Sequence, residues 1–392
     1  MFREIYKGTK PPLPPFNSSS NDNKIKQDRD EEEEGEEEEE SNIDKGEIIK
    51  QVEWNQYWDN RLTLNIQDNQ FQLYEANTFV IPTTASTNQA EEEQQTNIIN
   101  NHKIVGNKIN NDDQPFLFVL LHGGGYTSLT WSLLIQQIKT SNITNRNCRV
   151  MAYDLRGHGS TKTTNDKDFS IETLVNDTVN VANTYQQQLV ESTSSSSSSS
   201  FKVILVGHSL GGAIAVKSAN RINNINALVV VDVVEGSAMS ALSSMRSIIA
   251  KTPKFFNSVS DAIKWSVDSN TLQNLESAQV SVPSQIKPTE NNKFTWITDL
   301  MLTEPYWKDW FSNLSKEFLA SKAVKMLILA GSDRLDKELT IAQMQGKFQL
   351  ILLPSCGHII QEDSPKLTFN ALLQLLQRLG PIMRPIYHPT SS

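Results

Sequence analysis

Gly207-His208-Ser209-Leu210-Gly211 has the spacing of a strained strand-to-helix turn that presents a serine between two glycines. Side chains at the flanking positions would collide with neighbouring backbone, so glycine is required there. The chemistry open to such a serine is attack on an acyl carbon. That reaction needs a base to take the proton, an acid to orient the base, and N–H groups facing the developing oxyanion. His122-Gly123-Gly124-Gly125 ends an apolar run, and Gly124 is the candidate upstream N–H donor, with Gly125 as the alternative. The N–H of Leu210, next after the nucleophile, is the candidate second donor. Among six histidines, His102 and His388 fall in polar tails, His122 and His158 in glycine turns, and His208 beside the serine. His358 remains as the base. The acid is open between Asp232 and Asp333, each at the end of an apolar run; Asp333 is followed by Arg334 and could instead form an ion pair. Cys356 is a second thinkable nucleophile, but with Ser209 in that role packing is its expected duty.

These residues must be held by something. Short, nearly continuous apolar runs at 116–121, 149–153, 202–206, 227–231, 325–330 and 348–353 read as strands buried on both faces of a parallel sheet. Alternation at 61–66 and 71–75 predicts half-buried antiparallel strands. Helices are predicted over 170–189, 210–221 and from the start signal Asp363-Ser364-Pro365 to about Leu379. Strand–helix alternation with the chain order Ser, Asp, His predicts an α/β-hydrolase fold, a mostly parallel central sheet flanked by helices. Residues 48–235 form the first part of its core and 324–380 the second. Between them, 236–323 reads as an inserted helical lid with Trp265, Trp296, Trp307 and Trp310, whose simplest duty is core packing. Fold analogy alone favours Asp333, on the later strand, as the acid.

Composition narrows the rest. Residues 1–47, with the acidic run Asp30–Glu40 broken only by Gly35, are expected to be disordered. Low-complexity insertions at 83–115 and 190–200 and a tail at 381–392 complete the organisation. The net charge of −9 and pI near 5.3, with no basic stripe, argue against nucleic acid as a partner. No apolar run approaches a membrane span, the first residues lack a secretory apolar core, and there are two cysteines, Cys148 and Cys356. An intracellular protein, cytoplasmic or nuclear, without structural disulfides is expected. The proposed chemistry calls for no metal or organic cofactor.

Longer segments carry a closer likeness. LLHGGGYTSLTW at 120–131, YDLRGHGSTK at 153–162 and VGHSLGGAIAV at 206–216 are joined by VDVVEGSAMSAL at 231–242 and NLESAQVS at 274–281. LAGSDRLDKELTIAQMQGKFQ at 329–349 and CGHIIQED at 356–363 follow. With these, the chain from about Val52 to Leu379 resembles the protein phosphatase methylesterase family; the pieces containing DVVEG, NLESA and DRLDKELTIAQMQGKFQ are the specific ones. The resemblance implies hydrolysis of the methyl ester on the C-terminal leucine of the type 2A protein phosphatase catalytic subunit, without cofactor. It maps the triad onto Ser209, Asp232 and His358, reversing the preference for Asp333. It also implies that the lid contacts the phosphatase and that docking rearranges the triad. Members of the family carry an acidic insertion within the lid; here residues 287–293 are short and the acidity sits near the N-terminus. A general carboxylesterase or lipase, and a phosphatase-binding scaffold without chemistry, are the alternatives.

Overall fold

The computed structural model describes residues 48–77, 115–141, 148–192, 200–331 and 334–379. The stretches 1–47 and 381–392, most of 83–115 and 190–200, and Asp333 lie outside them. Val190–Ser192 are described, and they finish a helix.

Eight strands form one sheet: β1 (Asn60–Ile66), β2 (Asn69–Asn77), β3 (Phe116–Leu121), β4 (Arg149–Tyr153), β5 (Lys202–His208), β6 (Ile225–Val231), β10 (Val324–Leu329) and β11 (Gln349–Leu352). Their order is β1-β2-β4-β3-β5-β6-β10-β11, antiparallel from β1 to β4 and parallel from there on. Period-two side-chain alternation explains the continuous apolar runs. In β3, Leu117, Val119 and Leu121 enter one core, while Phe116, Phe118 and Leu120 enter the other. Val203 and Leu205 against Ile204 and Val206 repeat this division in β5. Each such side chain, fully buried, contributes about 1.5–3 kcal/mol. Helices 171–192 and 210–218 cover the first face; helices 132–140 and 365–379 cover the second.

From β3 the chain steps outward to β4 and then returns past β3 to β5. Loops after β3 and β5 therefore diverge and open a crevice at the carboxyl ends of the strands. The glycine turn follows β3, Ser209 follows β5 and Asp232 follows β6, so all three sit on that rim.

The insertion differs in part from its helical reading. Besides helices such as Glu235–Lys251, Val259–Asp268 and Leu275–Ser281, it holds a small antiparallel sheet of β7 (Phe255–Phe256), β8 (Ile286–Pro288) and β9 (Phe294–Trp296). Strands of two or three residues are too short to show a period. Trp265 and Trp296 pack around a third apolar core within this segment, and Trp307 and Trp310 join the main one. The N–H groups of Trp296, Trp307 and Trp310 donate to Pro253 O, Thr303 Oγ1 and Phe169 O, as buried indoles require.

Candidate active site

Ser209 adopts φ 52° and ψ −119°, a conformation costing about 1–3 kcal/mol for a residue with a Cβ. Close packing on both sides holds it there. A Cβ on Gly207 would stand 2.1 Å from Gly211 O, and one on Gly211 would stand 2.5 Å from both His122 O and Leu121 O. Ser209 N–H donates to Val231 O at 3.0 Å, which ties the turn to β6.

Ser209 Oγ lies 3.0 Å from His358 Nε2, and His358 Nδ1 lies 2.8 Å from Asp232 Oδ2. The carboxylate can only accept, so Nδ1 carries the proton and Nε2 is left to accept from the serine hydroxyl. The three side chains are thus joined in series. Asp232 Oδ1 accepts from Ala330 N–H at 2.9 Å, and Arg334 Nη1 also reaches Oδ2. Burial raises the Asp232 pKa, but the His358 hydrogen bond and charge, followed by Arg334, outweigh it and hold the carboxyl below its usual range. Arg334 therefore pairs with Asp232. Residue spacing suggests only its neighbour Asp333 as a partner, because contact across strands leaves no trace there.

The neighbouring histidines are neutral by burial. His158 is lowered to about 4 and His208 to about 3, and His122 falls well below its ordinary value. His158 Nε2 accepts the N–H of Gly125 at 2.9 Å, while its Nδ1–H donates to Arg156 O. The Gly125 N–H is consequently committed inside the protein. No hydrogen bond among the described residues engages the N–H of Gly124, and the N–H of Leu210 opens a helix, where no intrahelical carbonyl reaches it. A Cβ on Gly124 would lie 3.6 Å from Leu210 Cδ2, and both residues line one cavity with Ser209. From the sequence, His158 reads only as part of a glycine turn.

Cys356 is buried in the core, and burial raises its thiol pKa. Among the described residues no trio of His, Cys, Asp or Glu side chains is placed to hold a metal ion. No described helix is long and apolar enough to cross a membrane.

Two cavities meet at this rim. A small one of about 80 Å³ is lined by Ser209 and His358 and by the apolar side chains of Val233, Ala241, Met245 and Trp307. A larger one of about 590 Å³ runs beneath the insertion, past Phe255, Trp265 and Trp296. Gly124, Tyr126, Ile249 and Leu300 line both.

Glu362 is 1% exposed. Its carboxyl binds the hydroxyls of Thr130 and Ser281, the latter at 2.7 Å. Burial pushes its pKa from the ordinary 4.5 up to about 8, the hydroxyl bonds only partly opposing this. The unfolded chain loses this proton near the ordinary value, so folding takes one up across the interval. Stability falls as pH rises from about 4.5 to about 8 and then levels. Glu362→Gln, which does not titrate, is expected to gain melting temperature relative to wild type across that window. Thermal melts of both proteins between about pH 5 and pH 8 check this, and parallel curves would refute it.

Residues 118–372 match the Alpha/beta hydrolase family. Over 376 residues the chain is 46% identical to the probable protein phosphatase methylesterase 1 of Dictyostelium discoideum, spanning 93% of this chain and 98% of that one. It is 39% identical over 306 residues to protein phosphatase methylesterase 1 of Mus musculus, spanning 67% of this chain and 76% of the mouse protein. Among solved structures, E-2-(acetamidomethylene)succinate hydrolase superposes with a TM-score of 0.57 at 14% identity, over 81% of this chain and 99% of its own. That likeness concerns the fold alone. Kinship of this extent, on an α/β-hydrolase core, means that the chain belongs to the protein phosphatase methylesterase family of serine carboxylesterases.

Proposed function

We propose that this enzyme, in the cytoplasm, the nucleus or both, removes the methyl group from the C-terminal leucine methyl ester of the type 2A protein phosphatase catalytic subunit, with Ser209, His358 and Asp232 as the catalytic residues. The observation that carries this reading is the hydrogen-bonded series from Ser209 Oγ through His358 to Asp232, at 3.0 and 2.8 Å. Ser209 Oγ attacks the ester carbonyl as His358 Nε2 takes its proton. The carbonyl electron pair moves to oxygen, which the N–H groups of Gly124 and Leu210 stabilise; each such donor is typically worth about 3–4 kcal/mol. The C–O bond to methoxide breaks, His358 returns the proton to it, and methanol leaves. Water then repeats the sequence on the acyl-enzyme and frees the leucine carboxylate. Asp232 supports the imidazolium in both steps.

Residues 48–235 and 324–380 are the catalytic core in this reading, and 236–323 the lid. The small cavity suits a leucine side chain, and the larger one, which shares Gly124 and Leu300 with it, takes the residues preceding the leucine in an extended tail. Ala241→Phe is therefore expected to fill the small cavity. It should cut kcat/KM for the leucine methyl ester by about 10–100-fold while sparing acetyl esters, whose acyl group needs no such space. Equal losses on both substrates would place the leucine elsewhere.

The deciding experiment is methanol release from carboxymethylated phosphatase subunit, set against hydrolysis of short-chain nitrophenyl esters. Turnover of the phosphatase ester supports the proposal. Turnover of the small esters alone would mark a general carboxylesterase, and no labelling of Ser209 by a fluorophosphonate, even with the phosphatase present, a scaffold.

A further inference from the structure

The turn after His358 is fastened more heavily than a surface loop requires. Asp363 Oδ2 accepts the N–H of Gly357, the residue before His358, at 2.7 Å. Asp363 Oδ1 accepts the N–H of Gln273, in the insertion, at 2.9 Å. The approach is close enough that a Cβ on Gly357 would lie 2.7 Å from Asp363 Oδ2. One position earlier, Glu362 joins the same two parts of the chain. Its carboxyl binds Ser281 in the insertion and Thr130 in the helical turn behind the glycine loop, and its carbonyl accepts from Ser277 Oγ at 3.0 Å. Gln361 Nε2 adds a bond to Thr130 at 2.9 Å. Between base and clamp, Ile359 is 1% exposed and packs in the insertion's own apolar core. His358 O, on the opposite side, accepts from His208 Nε2 at 2.8 Å.

The chemistry above gives no task to NLESAQVS or to Gln361-Glu362-Asp363. The contacts supply one. Within the first segment, Asn274 caps its helix by accepting from Ser277 N–H, and Ser277 and Ser281 turn their hydroxyls to Glu362. Nothing in this network touches the reacting atoms, yet its members surround the backbone from which the imidazole is hung.

We propose that Glu362 and Asp363 are positioning residues for His358: together they bolt the turn that carries the base to residues 273–281 of the insertion and to Thr130, and so fix the imidazole against Ser209. The inference rests on the reading of His358 as general base. Two chemical consequences separate the side chains. Asp363 uses each carboxylate oxygen on a different backbone N–H, so asparagine, with one oxygen and one NH₂, must turn a donor toward a donor. Glu362 meets a hydroxyl at each oxygen, Thr130 at Oε1 and Ser281 at Oε2, and a hydroxyl, unlike an N–H, can turn to accept, so glutamine can hold both contacts.

Asp363→Asn, Glu362→Ala and Glu362→Gln should be compared with wild type for methanol release, for fluorophosphonate labelling of Ser209, and for the low-field proton resonance of His358 Nδ1–H. Asp363→Asn and Glu362→Ala are expected to lower kcat by about 10–100-fold with KM nearly unchanged, the scale on which small misplacements of catalytic groups act. Their low-field resonance should move or broaden, and Glu362→Gln should restore both rate and resonance. A merely structural role would leave resonance and kcat alone in whatever fraction of protein folds. If Asp363→Asn does not fold, the contrast between Glu362→Ala and Glu362→Gln decides. Unchanged kcat and resonance in the clamp variants, or a Glu362→Gln as slow as Glu362→Ala, overturns the clamp alone. A wild type that turns over no ester and is not labelled at Ser209 overturns the catalytic reading, and the clamp with it.

Discussion

Ser209→Ala is expected to lower kcat for methanol release by about 10⁴–10⁶-fold while leaving KM within a few-fold of wild type. The loss is large because the remaining groups serve a nucleophile that is gone. His358 would still accept a proton, but only from a water molecule that nothing in the turn holds in line. Some acceleration over water should survive, since the proposed oxyanion donors, the N–H groups of Gly124 and Leu210, remain in place. KM should be spared because the two cavities proposed to receive the tail lose only one hydroxyl. Folding should be little affected, since alanine meets the same φ of 52° as serine. Melting temperature therefore separates loss of chemistry from loss of structure. A folded variant retaining more than about 1% of wild-type kcat would remove Ser209 from the mechanism.

Much of this architecture was legible because burial imposes periods. β3, β4, β5, β6, β10 and β11 showed as apolar runs since both faces of the sheet are covered, and the helix 365–379 as a stripe through Ala371, Leu372, Leu375 and Leu376. Helix 337–344 was not expected: it buries only Leu339 and Ala342 and leaves Ile341 and Met344 exposed, so no clean apolar face marks it. At the rim, the serine turn was readable from local glycines and His358 by elimination. The partner of His358 was not. Two aspartates follow apolar runs in the sequence, and choosing between them from residue patterns alone requires knowing which side chain spans the 126 positions between Asp232 and His358. Arg334, His158 and Glu362 escaped for the same reason. Each acts on a group from a distant part of the chain, and single polar contacts of that kind impose no periodicity.

Asp232→Asn is expected to lower kcat by about 10⁴-fold and, unlike the serine variant, to destabilise the fold. Oδ1 of Asp232 accepts from Ala330 N–H, while Oδ2 accepts from both His358 Nδ1–H and Arg334. An amide cannot satisfy both sides. With its NH₂ at the Oδ2 position it faces two donors, and the imidazole escapes only by moving its proton to Nε2, where it can no longer accept from Ser209. With the amide flipped, NH₂ confronts Ala330 N–H instead. Either way Arg334, with a side chain 7% exposed, loses its ion pair with the Asp232 carboxylate. Breaking a buried ion pair from one side typically costs about 3–5 kcal/mol. Adding Arg334→Met removes the buried cation of the broken pair, so Asp232→Asn/Arg334→Met should recover part of the melting temperature yet stay inactive. Recovery of activity along with stability would mean that Asp232 serves only to balance Arg334, and that another group orients the base. Asp333→Asn is the matching control. Since His358 Nδ1 is already bonded to Asp232, that variant should retain a substantial fraction of wild-type turnover, and a loss as deep as that of Asp232→Asn would transfer the acid's role to the later strand.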